Sequence, residues 1–345
     1  MRRRSRAKRP VRTAREHLAA LFGAVLMVAL SSVAPGWSQA PLPPAPQTAA
    51  ITPRAAIKSW GYQLSNIEPD EIAASSYDAV VIDYARDGTQ KTQLTAREIE
   101  RMKIKPDGGR RVVLAYLSVG EAEQYRSYWN KRWNWWWGWY RVFFGPKWLG
   151  HENPEWHGNF SVRYWNADWQ SLICGPGDSY LGRIVAAGFD GVWLDKVDAS
   201  TEPIAREIKA PEAEMVKLVG RIAARARADQ PQFLIIPQNG EHLLDDPQYL
   251  ALIDGLGAES LLYGDPHEKK PTAPETQRKR IPPLQVLVAT GKPVMAVEYL
   301  DDPAVIAAAR ARLLQLGFTP HFADRGLEAL RLDTLPAPAM RPTKP

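Results

Sequence analysis

The segment Gly188–Asp198 reads GFDGVWLDKVD, an apolar run (Val192, Trp193, Leu194) that ends abruptly in Asp195, Lys196 and Asp198. An ionised carboxylate without a partner is costly away from water. Charges at the end of a buried strand therefore either run out into a solvated loop or gather at a site. Six other apolar runs end the same way. Their terminal polar residues are Asp83 and Tyr84; Tyr116, Ser118, Glu121 and Glu123; Gln238, Asn239 and Glu241; Glu259; Glu298 and Tyr299; and Asp324 and Arg325. The C-terminal ends of parallel strands open into the ligand crevice of α/β folds, so this repetition points to one shared, acidic mouth. Crowded carboxylates repel, which raises the proton affinity of one of them and suits the pair to general acid/base work. Glycosidic cleavage needs such a pair: an acid for the leaving oxygen, and a carboxylate as nucleophile or base. Asp195 and Glu259, on the fourth and sixth runs, come close across a barrel mouth. Lys196 either holds Asp195 ionised or points outward into a helix layer, and alternation along a strand favours the outward placement.

Other chemistries find less support. The six His show no HxH or HExxH spacing, which argues against zinc, and no loop motif suggests an all-carboxylate Mg or Ca site. Phosphate binding would call for a Gly-rich loop after the last two strands, where the chain has Leu300-Asp301-Asp302-Pro303 and Asp324-Arg325-Gly326 instead. No GxSxG or Cys/His nucleophile signature occurs. The residues thus imply no metal and no cofactor.

The elements that must position these groups follow from periodicity. Candidate strands are Ser59–Leu64, Ala79–Tyr84, Arg111–Ser118, Gly191–Leu194, Phe233–Gln238, Gly255–Ser260, Pro293–Tyr299 and Thr319–Ala323. Helix-like stretches lie between them at Thr95–Ile104, Leu172–Ala187, Pro211–Asp229, Asp246–Ile253, Pro274–Thr290 and Pro303–Leu316. Gly188, Gly291 and Gly317 fall where helices should stop. Strands separated by helices pair in parallel through right-handed crossovers. Eight of them predict an α/β TIM (β/α)8 barrel over residues 58–330; a doubly wound sheet would not need the eighth.

Between the third strand and the next helix the pattern breaks. The stretch Glu121–Asn166 holds nine of the thirteen Trp with no helical or strand period. Three readings of this Trp-rich insertion stand: a mini-core that holds the insertion together, aromatic planes that stack on sugar rings, and anchorage at a membrane interface.

The net charge of +6 suggests nucleic acid but is misleading. Residues 1–40 carry eight Lys or Arg and one acid, so this segment's +7 leaves −1 for the rest of the chain. A basic start, an apolar stretch from Leu18 to about Ala34 and Ser38-Gln39-Ala40 read as a signal peptide, or, because Pro35 and Pro41 would hinder cleavage, as an uncleaved anchor. Either places the rest outside the cytoplasm, secreted or periplasmic. Residues 41–57 read as a Pro-rich linker and 331–345 as a Pro-rich tail. One cysteine, Cys174, excludes an internal disulfide.

Taken together, SWGYQL (Ser59–Leu64), VIDY (Val81–Tyr84), LAYLSVGEAE (Leu114–Glu123), WHGNFSVRYW (Trp156–Trp165), GFDGVWLDKVD, IIPQNGE (Ile235–Glu241) and GLGAESLLYG (Gly255–Gly264) occur in this order. The ordered set resembles glycoside hydrolase family 114, the endo-α-1,4-polygalactosaminidase-like barrels. That resemblance implies hydrolysis of α-1,4-linked galactosamine-rich polysaccharide, with catalytic acids at positions matching Asp195 and Glu259. Asp198 is a second acid in the strand-four motif. Asp83, Tyr116, Glu121, Asn239 and Glu241 match positions that would bind sugar hydroxyls or amines, with Lys196 and Asp198 in support. The Trp-heavy run RWNWWWGWYRVFFGPKW departs from the family pattern. An acidic mouth independently suits a cationic amino sugar and gives nucleic acid no foothold. The competing function is a non-catalytic glycan-binding barrel at the cell surface; a third is a membrane-associated scaffold, with contact through the N-terminal segment or the Trp-rich loop.

Overall fold

The computed structural model describes residues 57–134 and 145–330. The leader, almost all of the linker, the tail and Trp135, Trp136, Trp137 and Trp139 lie outside the described residues. The eight expected strands are present as β1 (Trp60–Gln63), β2 (Ala79–Ile82), β3 (Val112–Ser118), β7 (Gly191–Asp195), β8 (Leu234–Pro237), β9 (Leu256–Glu259), β10 (Val294–Glu298) and β11 (Thr319–Phe322). They form two parallel sheets, ordered β1-β2-β3-β7-β8 and β9-β10-β11. Two seams join these sheets into a barrel. At one, Gln238 bridges Gly257, and the Asn239 amide donates to the Gly257 carbonyl at 2.7 Å. At the other, side chains stand in for a ladder: the Trp60 indole donates to the Thr319 carbonyl at 2.9 Å, and the Thr319 hydroxyl to Ile57 at 3.1 Å.

Strand parity separates two buried clusters, because successive side chains point to opposite faces. Trp60, Tyr62, Val81, Leu114, Tyr116, Trp193, Ile236, Met295 and Val297 fill the barrel interior. Val80, Ile82, Val113, Ala115, Val192, Leu194, Ile235, Ala258 and Ala296 face outward into the helix layer. That layer comprises α1 (Pro69–Ala74), α2 (Ala96–Met102), α3 (Ala167–Cys174), α4 (Tyr180–Ala187), α5 (Pro211–Asp229), α6 (Pro247–Leu252), α7 (Pro274–Ala289) and α8 (Pro303–Gln315). Gly188, Gly291 and Gly317 end helices at φ of 87°, 83° and 84°, a region that costs an L-residue but not glycine.

Two expectations need correction. The stretch expected as one helix, Leu172–Ala187, is two. Gly175-Pro176-Gly177 breaks it, Asn166 caps an earlier start, and Ser179 restarts the second piece by accepting from the Gly182 amide at 3.1 Å. The insertion does contain strands. Glu121–Glu123 (β4), Leu149–Glu152 (β5) and Asn159–Val162 (β6) form a small antiparallel sheet in the order β4-β6-β5, in pieces too short to show a period. Trp129 stacks on Phe160 at 4.6 Å, and Trp148 packs on Trp133 and Trp169. These rings form the mini-core, whereas Trp156 is 44% exposed. Among the described residues no helix is long and apolar enough to cross a membrane.

A close fit in the interior spans the β8–β9 seam. Trp193 is fully buried, and a methyl added to Gly257 would lie 2.1 Å from its Cη2. The indole can shift only by displacing Trp60 and Tyr62, whose rings lie 5.1 and 5.5 Å away. We therefore expect Gly257→Ala to destabilise the fold by about 1–3 kcal/mol through overpacking, read as a lower denaturant midpoint at unchanged slope. An unaltered midpoint would show that the indole has room to move.

Candidate functional site

Two residues beyond Trp193 and Gly257, at the same strand parity, stand Asp195 and Glu259. The interior packing that fixes the first pair thus turns both carboxylates into the barrel mouth. Asp195 Oδ2 accepts from the Tyr116 hydroxyl at 2.7 Å, and Oδ1 accepts from the Lys196 amide at 2.8 Å. Glu259 Oε1 accepts from Asn239 Nδ2 at 3.1 Å, and Oε2 from the Tyr299 hydroxyl at 2.9 Å. Lys196, Asn239 and Ser260 adopt left-handed backbone conformations, with φ of 62°, 59° and 54°. Lys196 and Ser260 directly follow the two carboxylates, so each carboxylate ends its strand at a sharp turn.

Burial, and then the neighbouring Glu259, push the Asp195 carboxyl up to about 7, against the lowering effect of the Tyr116 hydrogen bond. Burial likewise lifts Asp198 to about 6, with Lys196 opposing. The site therefore retains a proton close to neutrality.

The surrounding residues divide into those that face the crevice and those that brace it. Lys196 points away from Asp195: its ammonium pairs with Glu202, and with Glu121 at 3.4 Å. Burial would lower its proton affinity, but Asp198, Glu121 and Glu202 raise it above the ordinary lysine range. Glu121 also accepts from Asn153 at 2.8 Å, which ties the insertion to the mouth. Asp83 is 2% exposed and pairs with Arg126 at 2.7 Å; Arg126 also holds Glu123 at 2.6 Å, inside a cage of Tyr84, Tyr116, Tyr125 and Tyr180 rings. Asp83 thus props the wall behind Tyr116. Glu298, expected at the mouth, turns outward by parity and accepts from the Leu262 and Tyr263 amides at 2.8 and 3.0 Å, holding the loop after β9.

The crevice itself has a volume of about 990 Å³, and a side chamber of about 220 Å³ opens beside Tyr299. Asp198, Glu241, Glu259, Asp265 and Glu268 line the main space together with Trp156. Arg325 sits over the Trp156 and Tyr299 rings at 5.5 and 5.4 Å and pairs with Glu268 at 3.1 Å. Among the described residues no group of His, Cys, Asp and Glu is arranged to hold a metal.

Sequence reading brought together Tyr116 and Asp195, which touch, Asn239 and Glu259, which touch, and Asp198 and Glu241, which line the crevice with Glu259. It missed Arg280 of α7, whose guanidinium reaches Glu241, Asn239 and the Glu259 carbonyl at 2.7–3.0 Å. Within RKRIPP it looks like part of a solvated basic face, and no strand end marks it.

Comparison with known proteins bears on this geometry. A model of the family described as Glycoside-hydrolase family GH114 matches residues 40–334. A Deinococcus radiodurans protein is 36% identical, with 84% of this chain and 90% of the relative covered. A Methanocaldococcus jannaschii protein is also 36% identical, over 79% of this chain and 77% of its own. Among solved structures, Aspergillus fumigatus Ega3 in complex with galactosamine superposes with a TM-score of 0.58 at 18% identity, covering 81% of this chain and 96% of that one. The glycoside hydrolase domain of PelA from Pseudomonas aeruginosa gives the same score and identity over 79% and 96%. At that identity the two structures speak for the barrel fold.

A carboxyl held up at about 7 also costs the fold stability. Its folded proton affinity exceeds the unfolded one, so the native state binds more protons between about pH 4 and 7, and stability falls as pH rises through that window. Asp195→Asn removes this cost. We expect the variant to melt on the order of a few degrees above the wild type at pH 8, with the gap closing near pH 4. A variant that melts lower at pH 8 would contradict the assigned proton affinity.

Proposed function

This chain belongs to glycoside hydrolase family GH114, and from that premise we propose that it hydrolyses α-1,4-linked galactosamine-rich polysaccharide, with Asp195 and Glu259 as its catalytic carboxylates. The observation that carries this reading is the pair itself: two inward carboxylates on facing sheets, hydrogen-bonded on all four oxygens and retaining a proton near neutrality. That proton can pass to the leaving glycosidic oxygen as its bond to the anomeric carbon breaks, while the other carboxylate of the pair stabilises the positive charge growing at that carbon, and a water supplies the hydroxyl that completes hydrolysis. Tyr116 and Tyr299 hold the two groups in register by donating to them, which limits the reorganisation needed during the reaction.

The acidic lining favours a substrate with ammonium groups, because charge complementarity steers such a chain into the crevice. A structural relative crystallised with galactosamine is in keeping with that choice. Trp156, exposed at the rim, offers a face for a sugar ring. Asp198 and Glu241 are placed to meet hydroxyl or ammonium groups. The basic and apolar N-terminus supports action outside the cytoplasm, where such polysaccharides are met.

The reading is tested on partially deacetylated galactosamine oligomers. Asp195→Asn and Glu259→Gln should each lower kcat by about 10³-fold or more with the circular dichroism spectrum retained. An aryl glycoside with a good leaving group should restore turnover only to the variant that lacks the acid. Wild-type activity should fall as pH rises through about 7, where the pair loses its proton. Full activity in both variants would remove the pair from the chemistry.

A further inference from the structure

We propose that Arg280 is a positioning residue for the catalytic pair: it locks the Asn239 side-chain amide in one orientation, so that Glu259 is presented with hydrogen-bond donors on both carboxylate oxygens. The proposal rests on the reading above that Glu259 is catalytic.

Donors and acceptors around Asn239 admit one orientation of its amide. Asn239 Oδ1 accepts from Arg280 Nη2 at 2.9 Å and from the Glu259 amide at 3.1 Å. Both partners can only donate, so the oxygen of the amide must face them, and Nδ2 must face Glu259 Oε1. A flipped amide would set its NH₂ against two donors and its oxygen against a carboxylate. The same guanidinium donates through Nη1 to the Glu259 carbonyl at 3.0 Å, and through Nε and Nη2 to Glu241 Oε1 at 2.9 and 2.7 Å. One planar fork thus reads three residues from two strand ends across the β8–β9 seam, which an ammonium could not do.

The charge around Glu259 makes this hold consequential. Asp195 from β7, Asp198 from the loop after it and Glu241 from the loop after β8 are acids; Tyr299 from β10 and Tyr62 from β1 are neutral. Arg280 reaches the Glu259 carbonyl and pairs with the Glu241 carboxylate, and among the described residues Glu241 has no other ion-pair partner. Without Arg280, Glu241 is left as a nearly buried, unpaired carboxylate, and the Asn239 oxygen keeps only the Glu259 amide as its donor, which loosens the hold of Asn239 on the Glu259 carboxylate. Both changes make the cluster bind protons more readily.

The test compares Arg280→Gln, Arg280→Lys and Asn239→Ala with the wild type. It reads kcat and KM on galactosamine oligomers, and the carboxyl titration of the substrate-free protein by ¹³C NMR. We expect Arg280→Gln to lower kcat about 10–100-fold with KM within about threefold, and to move the titration of the carboxyl cluster upward by about one pH unit. Arg280→Lys should recover the titration, by pairing Glu241, but not kcat. Adding Asn239→Ala to Arg280→Gln should lower kcat little further, because the two act through one contact. A fall in melting temperature with kcat and titration unchanged in the folded protein would reduce Arg280 to a structural brace and overturn the proposal, as would effects of the two substitutions that multiply. If Arg280→Gln does not fold, Arg280→Lys beside Asn239→Ala gives the same kcat and double-variant comparison. If the wild type cleaves no galactosamine oligomer, the functional reading fails, while the carboxyl titration still decides whether Arg280 holds the site.

Discussion

The barrel is two hydrogen-bonded sheets, and each carries one carboxylate of the pair. What sets them against each other is less the ladder than a steric fit, the Trp193 indole lying against the bare Cα of Gly257. Dispersion and burial make this contact strong, and the absence of a Cβ makes it specific. Because strand parity has period two, locking residues 193 and 257 face to face also locks residues 195 and 259 one layer higher. The Gln238 amide oxygen, which accepts from both the Trp193 indole and the Tyr62 hydroxyl, secures the same layer from the side. Slippage at the seam would cost the interior packing before it reached the carboxylates.

Above that floor the electrostatics follow a consistent division. Asp198, Glu241 and Glu259 line the crevice with Arg280 among them, while Lys196 and Arg126 stand behind; all three cations have hydrogen-bond donors committed to carboxylates or carbonyls. This lets a strongly acidic surface exist in a partly dehydrated space without collapsing its charge by proton uptake throughout. Burial raises the proton affinity of Asp195 and Asp198, the two acids of the strand-four motif, and likewise that of Asp83 and Glu298. Arg126 illustrates the cost of such support: its buried charge is balanced by two carboxylates and four aromatic rings, far more machinery than packing alone would require.

How much of this was legible in the sequence follows from what leaves a local trace. Strands such as Val112–Ser118 and Gly191–Asp195 did, because a buried parallel strand is a short apolar run and its polar end stands out. The parity rule then aims Asp195 and Glu259 inward with no further information. Glu298 shows the limit of the same reading: it too ends a strand, but one position out of phase, and so it serves the loop after β9 instead of the mouth. Arg280 left no trace, since one arginine in a basic helical run resembles its neighbours until the fold selects it. The β4-β6-β5 sheet was hidden because pieces of three or four residues show no period, and the Leu172–Ala187 helix was overextended because periodicity continued on both sides of Gly175-Pro176-Gly177.

The left-handed turns at Lys196, Asn239 and Ser260 carry a consequence for how this protein can change over generations. Each places an L-residue where about 1 kcal/mol of backbone strain is stored, and each adjoins a group that holds or forms the pair. Glycine at any of them is one relaxed backbone away, and a lineage drifting toward greater stability would be drawn to it. Glycine would also free the chain beside the carboxylate, trading a fixed aim for a spread of directions. Selection for turnover and selection for robustness therefore pull on the same three residues in opposite senses, and a barrel of this kind that has given up its chemistry should reveal the fact first by glycines at the ends of its strands.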